Sequence, residues 1–142
     1  MPDPKSRIVV TAAVIEREGS FLLTRRLDGT HLAGHWEFPG GKVHAGETLQ
    51  ECLAREIREE LDAGIAVGDE ILATVHDYPE RSIELRFFRC TLTSEPTPMM
   101  GQEMRWVPLG ELASIQLPPA DDELVRLLIE GGAARRGSLR LA

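Results

Sequence analysis

The order of apolar and polar positions divides the chain into short strands and two helices. Arg7 to Ile15 (RIVVTAAVI) is an almost unbroken apolar, β-branched run, which predicts a buried strand. Glu16 to Ser20 reads as a hairpin turn and Phe21 to Arg26 (FLLTRR) as the return strand. Leu27 to His35 is a loop, and a short strand from Trp36 breaks at Pro39-Gly40-Gly41. From Thr48 to Leu61 there is no Gly or Pro, and Leu53, Ala54, Ile57 and Leu61 form one apolar arc, so this stretch is a helix. Strands follow over Glu70–Tyr78 and Ser82–Thr93; in the second, Ile83, Leu85 and Phe87 alternate with Glu84 and Arg86. Glu103–Pro108 is a short strand and Leu109–Ala113 a helical turn. Pro118-Pro119 opens a last helix, amphipathic from Asp121 to Glu130, with Leu124, Leu127 and Leu128 on one side. Residues 1–6 read as a loose arm and 131–142 as a loose tail. With no repeat and no linker, residues 1–142 form a single domain. Its class is α/β, with a mixed β-sheet between helices.

Composition narrows the function classes. The net charge of −7 disfavours a nucleic-acid polymer as partner, since a phosphate backbone is met by a basic surface. A small polyphosphate remains compatible if a divalent cation bridges it to acidic side chains. No apolar run is long enough to span a membrane, and the start MPDPKSR lacks a signal-peptide core. Cys52 and Cys90 fit no metal or redox motif. The expected compartment is the cytoplasm.

The chemistry concentrates in Gly40–Asp62 (GGKVHAGETLQECLAREIREELD). At about 100° per residue, Glu56, Glu59 and Glu60 share one face of the predicted helix, beside its apolar arc. Such carboxylates repel, each i,i+3 or i,i+4 pair by a few tenths of a kcal/mol. Either the face is simply solvated, with Arg55 and Arg58 as counter-ions, or the carboxylates hold a hard cation such as Mg²⁺ or Mn²⁺. The glycines at 40 and 41 allow backbone to approach such a ligand closely.

The spacing separates these alternatives. From Gly41 to Glu60 the chain reads G-x5-E-x7-R-E-(apolar)-x-E-E, which resembles the signature of the Nudix hydrolase family. Six fixed residues match by chance on the order of once in 10⁷ starts, given ordinary residue usage. The box is taken as residues 41–63. One departure lies at its end, where the family's Gly-apolar pair arrives late, as Gly64-Ile65. Gly64 is then expected to supply the left-handed helix cap.

The resemblance extends over about residues 7–130 and is nearest the MutT-like branch, on Thr24-Arg25-Arg26, Glu37-Phe38-Pro39-Gly40-Gly41 and Leu117-Pro118-Pro119-Ala120-Asp121. It implies the family's α/β/α sandwich and a Mg²⁺-dependent cleavage of nucleoside triphosphates to the monophosphate and pyrophosphate. It further implies metal ligation by the Gly41 carbonyl, Glu56 and Glu60, with Glu59 close by. Glu56 is expected as the base and Glu60 as a ligand, with the roles open to exchange, and Arg55 as the residue that orients Glu47 or a catalytic Glu. Lys42 and Glu47 support the loop. Many relatives carry a further Glu before the strand containing Trp106; Met100 stands at that position here, and Glu103 is the nearest carboxylate and a candidate ligand.

For the nucleotide, Arg26, His31 and Arg81 match substrate-contacting positions, and Phe38 and Tyr78 are either base or sugar packers or plain core. Asp121 stands where the MutT pattern has Asn. An ionised Asp only accepts hydrogen bonds, which suits the amine of cytosine and meets O6 of 8-oxoguanine with repulsion unless it is protonated. Asp121 as a mere helix cap is the alternative. The expected function is nucleotide-pool sanitation of 8-oxo-dGTP, followed by hydrolysis of CTP or a modified dCTP, then of ADP-ribose. A non-catalytic nucleotide-binding module is the rival outside enzymology. The expected assembly is a monomer or a dimer.

Overall fold

The computed structural model describes the backbone of residues 6–29 and 32–141, and side chains of 7–29 and 32–131. His31 and the arm at 1–5 lie outside the described residues.

Strand β1 (Ser6–Arg17) is the axis of the molecule. Its first ten residues pair in parallel with β6 (Arg81–Leu92), and Val10–Ala12 pair antiparallel with β4 (Gly40–Lys42) on the other edge. The end of β1 turns through Glu18 and Gly19, both at positive φ, into β2 (Ser20–Arg25). β2 pairs with β3 (Trp36–Glu37) and β7 (Met104–Pro108), and β5 (Ile65–Asp77) closes the other side on β6. The seven strands form one mixed sheet.

The unbroken apolar run of β1 follows from burial on both faces. Ala12 and Val14 enter a core with Phe38, Phe87 and Leu124, under the 3₁₀ turn Leu109–Ser114 and helix α2 (Asp122–Leu141). Ala13 and Ile15 enter a second core with Leu53, Ile57 and Leu61 of helix α1 (Leu49–Leu61). The result is the expected sandwich. Among the described residues no helix is long and apolar enough to cross a membrane.

Helix α1 starts where its sequence says it should. Thr48 accepts from the Glu51 amide at 3.0 Å while the Glu51 carboxylate accepts from the Thr48 amide at 2.8 Å, a reciprocal capping box. Its other end departs from expectation. Asp62, at φ 48°, takes the left-handed position assigned to Gly64. Gly64 is needed for a different reason: a Cβ there would lie 2.5 Å from the Thr93 hydroxyl. Two more differences follow from pairing that local sequence does not show. Gly40–Lys42, expected as loop, is a strand because it lies along β1. β5 begins at Ile65, not Glu70, and absorbs the mismatch with β6 as irregular register between Val67 and Leu72. The backbone of α2 is helical across Gly131 and Gly132 to Leu141.

Thr48→Ala removes half of the capping box and should lower stability by about 1 kcal/mol. Urea unfolding followed by circular dichroism would read this as a lower midpoint at an unchanged slope.

Candidate active site

Strand β4 and helix α1 meet edge to face, and the site is built at that contact. Glu56 projects from α1 onto Gly41 so closely that a Cβ at residue 41 would have both Glu56 carboxylate oxygens at 2.5 Å. Only glycine lets the carboxylate lie flat against the backbone there. The Gly41 carbonyl accepts from the Thr11 hydroxyl at 3.4 Å. One turn further along α1, the Glu60 carboxyl accepts from the Gly40 amide while its Oε2 is buried without a partner. Burial, then the charges of Glu56 and Glu37, push Glu60 up to about 8. Glu56 is also raised, chiefly by burial. Glu59 is largely exposed and reaches only Arg55, at 3.2 Å.

Arg55 answers the repulsion among these groups. Its guanidinium grips Glu47 through Nε at 2.6 Å and Nη2 at 3.1 Å, and donates Nη1 to Glu56 at 2.9 Å. Nη2 also donates to the Lys42 carbonyl at 3.0 Å, so one side chain ties the box loop to the helix. Glu47 accepts in addition from the His44 amide at 2.9 Å, and these bonds, led by Arg55, hold its pKa down to about 2.

The carboxylates suit a divalent cation. Glu56 and Glu60 offer hard oxygens one turn apart on α1, Glu56 against Gly41, and the orphaned Glu60 oxygen is a buried acceptor that lacks a partner. Among the described residues no three acidic, His or Cys side chains form a closed ligand cluster, because Glu59 is drawn toward Arg55. Glu103 is not brought to this spot. It pairs with Arg25 at 3.0 Å on the surface, and it is Met100 and Gln102 that line the small cleft beside Glu60.

Next to the carboxylates opens a cavity of about 360 Å³. Its walls include Phe38, Ile83, Leu85 and Phe87, and its polar groups include Arg26, Glu37 and Asp121. Phe38 is both wall and core, packed edge-on against Phe87 with ring centroids 6.3 Å apart. Tyr78 and Arg81 stand in the same cavity, with His76 tilted against Tyr78 at 4.8 Å. Asp121 ends a 3₁₀ turn, Pro119–Asp121, ahead of α2, and is 6% exposed. Burial, then the Glu37 and Asp122 charges, raise it to about 7. Arg26 donates to both oxygens of Glu37, at 2.8 and 3.2 Å, and the two residues line both the cavity and the Glu60 cleft.

Glu37, His76 and Gln102 belong to this arrangement and were missed as site residues. For Glu37 a signal existed: a carboxylate in an otherwise apolar strand, next to Pro-Gly-Gly, needs a cation, and Arg26 is the one across the sheet. His76 and Gln102 carry no local signal.

Comparison with known proteins shows the family and the fold. A profile of the NUDIX domain matches residues 10–127. An 8-oxo-dGTP diphosphatase of Haemophilus influenzae is 38% identical over 128 residues, covering 88% of this chain and 93% of its own length. A CTP pyrophosphohydrolase of Escherichia coli is 35% identical over 133 residues, covering 90% and 96%. Among solved structures, the E. coli ORF135 protein superposes with a TM-score of 0.78 at 33% identity, over 92% of both chains. The MutT protein of Methanosarcina mazei Go1 gives 0.82 at 27% identity, over 92% of this chain and 99% of its own.

The raised Glu60 has a consequence for stability. Burial pushes it up to about 8 in the fold, above the 4.5 of a free glutamate, so folding favours the neutral acid. That contribution is whole below pH about 4.5 and is lost as pH rises through about 8. Metal-free protein in EDTA should therefore lose thermal stability across this window, and Glu60→Gln should flatten the decline. Melting curves taken at half-unit pH steps check both.

Proposed function

This chain belongs to the NUDIX family, and from that premise we propose that it hydrolyses nucleoside triphosphates to the monophosphate and pyrophosphate, with 8-oxo-dGTP as its main substrate. The observation that carries the choice is the buried Asp121 carboxyl with a pKa of about 7. Near neutral pH a large fraction is the acid, which both donates and accepts, and so meets the mixed donors and acceptors on the edge of 8-oxoguanine as an amide would. The name of the H. influenzae relative supports this reading. The ionised fraction supports a second one, hydrolysis of CTP or a modified dCTP, because a carboxylate accepts from the exocyclic amine of cytosine. The E. coli relative's name supports that one.

The family requires a divalent cation, and we assign Mg²⁺, held by the Gly41 carbonyl, Glu56 and Glu60, with Glu59 nearby. When bound, the metal neutralises phosphate charge and lowers the pKa of water. Glu56, raised by burial and steadied by Arg55, takes the proton from the water that adds at an internal phosphorus; the bond to the leaving phosphate oxygen then breaks. Arg55 positions Glu56 and ties Glu47 and the Lys42 backbone behind it. Arg26 and Arg81 offer positive charge to the nucleotide, and Phe38 and Tyr78 offer aromatic surface to the base or sugar. The full set of box carboxylates argues against a non-catalytic binding module.

Pyrophosphate release with Mg²⁺ should show a higher kcat/KM for 8-oxo-dGTP than for dGTP. That preference should weaken above pH about 7, where Asp121 ionises, while turnover of CTP or 5-methyl-dCTP gains. Asp121→Asn should keep 8-oxo-dGTP turnover and remove this pH dependence. A cytosine preference at all pH values would instead establish the second reading. Glu56→Gln should lower kcat by about 10²-fold or more with KM changed little, as expected for loss of a general base. EDTA should abolish turnover and added Mg²⁺ restore it.

A further inference from the structure

We infer that Gln102 is a positioning residue for the cation site: it latches the segment 97–102 onto the last turn of α1 and thereby holds Glu60 in place. The inference rests on the metal reading above. Three features carry it.

The final carbonyls of a helix have no partner within it, and the last turn frays unless donors come from elsewhere. Glu60 is the next-to-last residue of α1, in that turn. Here the donors come from one segment. The Thr97 amide donates to the Leu61 carbonyl at 2.7 Å and the Met99 amide to the Glu60 carbonyl at 2.9 Å. Gln102 Nε2 donates to the same Glu60 carbonyl at 3.0 Å.

Gln102 is also the segment's own clasp. Its Oε1 accepts from the Met100 amide at 2.8 Å, across Gly101 at φ 75°. The residue is 7% exposed, and both ends of its side-chain amide are used. A buried amide satisfied at both ends fixes its surroundings, since losing either bond strands a polar group.

The segment ends at the site itself. Met100 and Gln102 line the cleft that also contains Glu60, Glu37 and Arg26. Glu103, the nearest carboxylate, is committed to Arg25 and adds no oxygen there. In this chain, then, the segment contributes to the site by clamping the helix end that bears Glu60, and not by offering a carboxylate of its own.

The test compares wild type with Gln102→Met, of similar size and unable to make either bond. Gln102→Asn, which keeps the amide but is one methylene too short to bridge both groups, serves if the first fails to fold. Three readouts are taken: amide hydrogen exchange at Thr97, Met99 and Met100; Mn²⁺ affinity without nucleotide, from the free-ion EPR signal; and pyrophosphate release against Mg²⁺ concentration. The expected result is faster exchange at these amides, Mn²⁺ bound about tenfold more weakly, and a half-saturating Mg²⁺ concentration raised by a similar factor. The kcat at saturating Mg²⁺ should stay within about threefold. Faster exchange with unchanged Mn²⁺ affinity would overturn the inference, leaving Gln102 a helix cap only. Wild type that binds no Mn²⁺ while still releasing pyrophosphate would overturn the metal reading, and the inference with it.

Discussion

Everything in the site depends on one close approach, that of the Glu56 carboxylate to the backbone of Gly41. It exists only because β4 lies along β1 while α1 packs on the sheet through Leu53, Ile57 and Leu61. A methyl group at Gly41 would overlap the carboxylate. The contact holds a carboxylate flush against the backbone of β4, at the edge of the cavity that Gly40 and Gly41 line. Glu60, one turn on, adds a second carboxyl with a buried, unpartnered oxygen. Two carboxyls withdrawn from water on one helix face repel, an unfavourable arrangement that a proton or a divalent cation would offset.

Arg55 makes that arrangement tolerable. Its contacts with Glu47, Glu56 and Glu59 offset part of the repulsion along α1. They do not reach Glu60, which is left to burial and so titrates high. The same logic runs across the sheet. Arg26 is shared with Glu37, and Glu37 in turn raises both Glu60 and Asp121. The carboxyls nearest the expected phosphates and base are thus the ones held closest to neutrality, while Glu47, in the supporting loop, is firmly ionised.

The cavity adds a different kind of constraint. Its walls are core residues, Phe87 and Phe38 among them, so the surface that lines the cavity is also the surface that holds α2 to the sheet. Substitution there changes the packing and the cavity together. Asp121 is the exception: it enters the cavity from a 3₁₀ turn and carries a polar function into an apolar wall. A single carboxyl in such surroundings can present either of two hydrogen-bonding patterns, as the neutral acid or as the carboxylate.

The sequence by itself determined the elements whose signal is local. The apolar run of β1, the alternation in β6, and the Thr48–Glu51 cap with the 3.6-residue spacing of α1 all depend on neighbours a few positions apart. The box carboxylates were legible for the same reason, since one helix fixes their relative places. What only the tertiary structure decided are contacts between distant segments. Gly40–Lys42 becomes a strand because β1 is beside it, and Asp62 turns the helix end while Gly64 fits against the Thr93 hydroxyl and donates its amide to Ser94. Glu103 is drawn to Arg25, 78 positions away, and Gln102 to the Glu60 carbonyl, 42 away. A side chain's charge and hydrogen-bonding groups are written in its identity. Which partner satisfies them, and how far water is excluded while they do, is set only when the chain closes on itself.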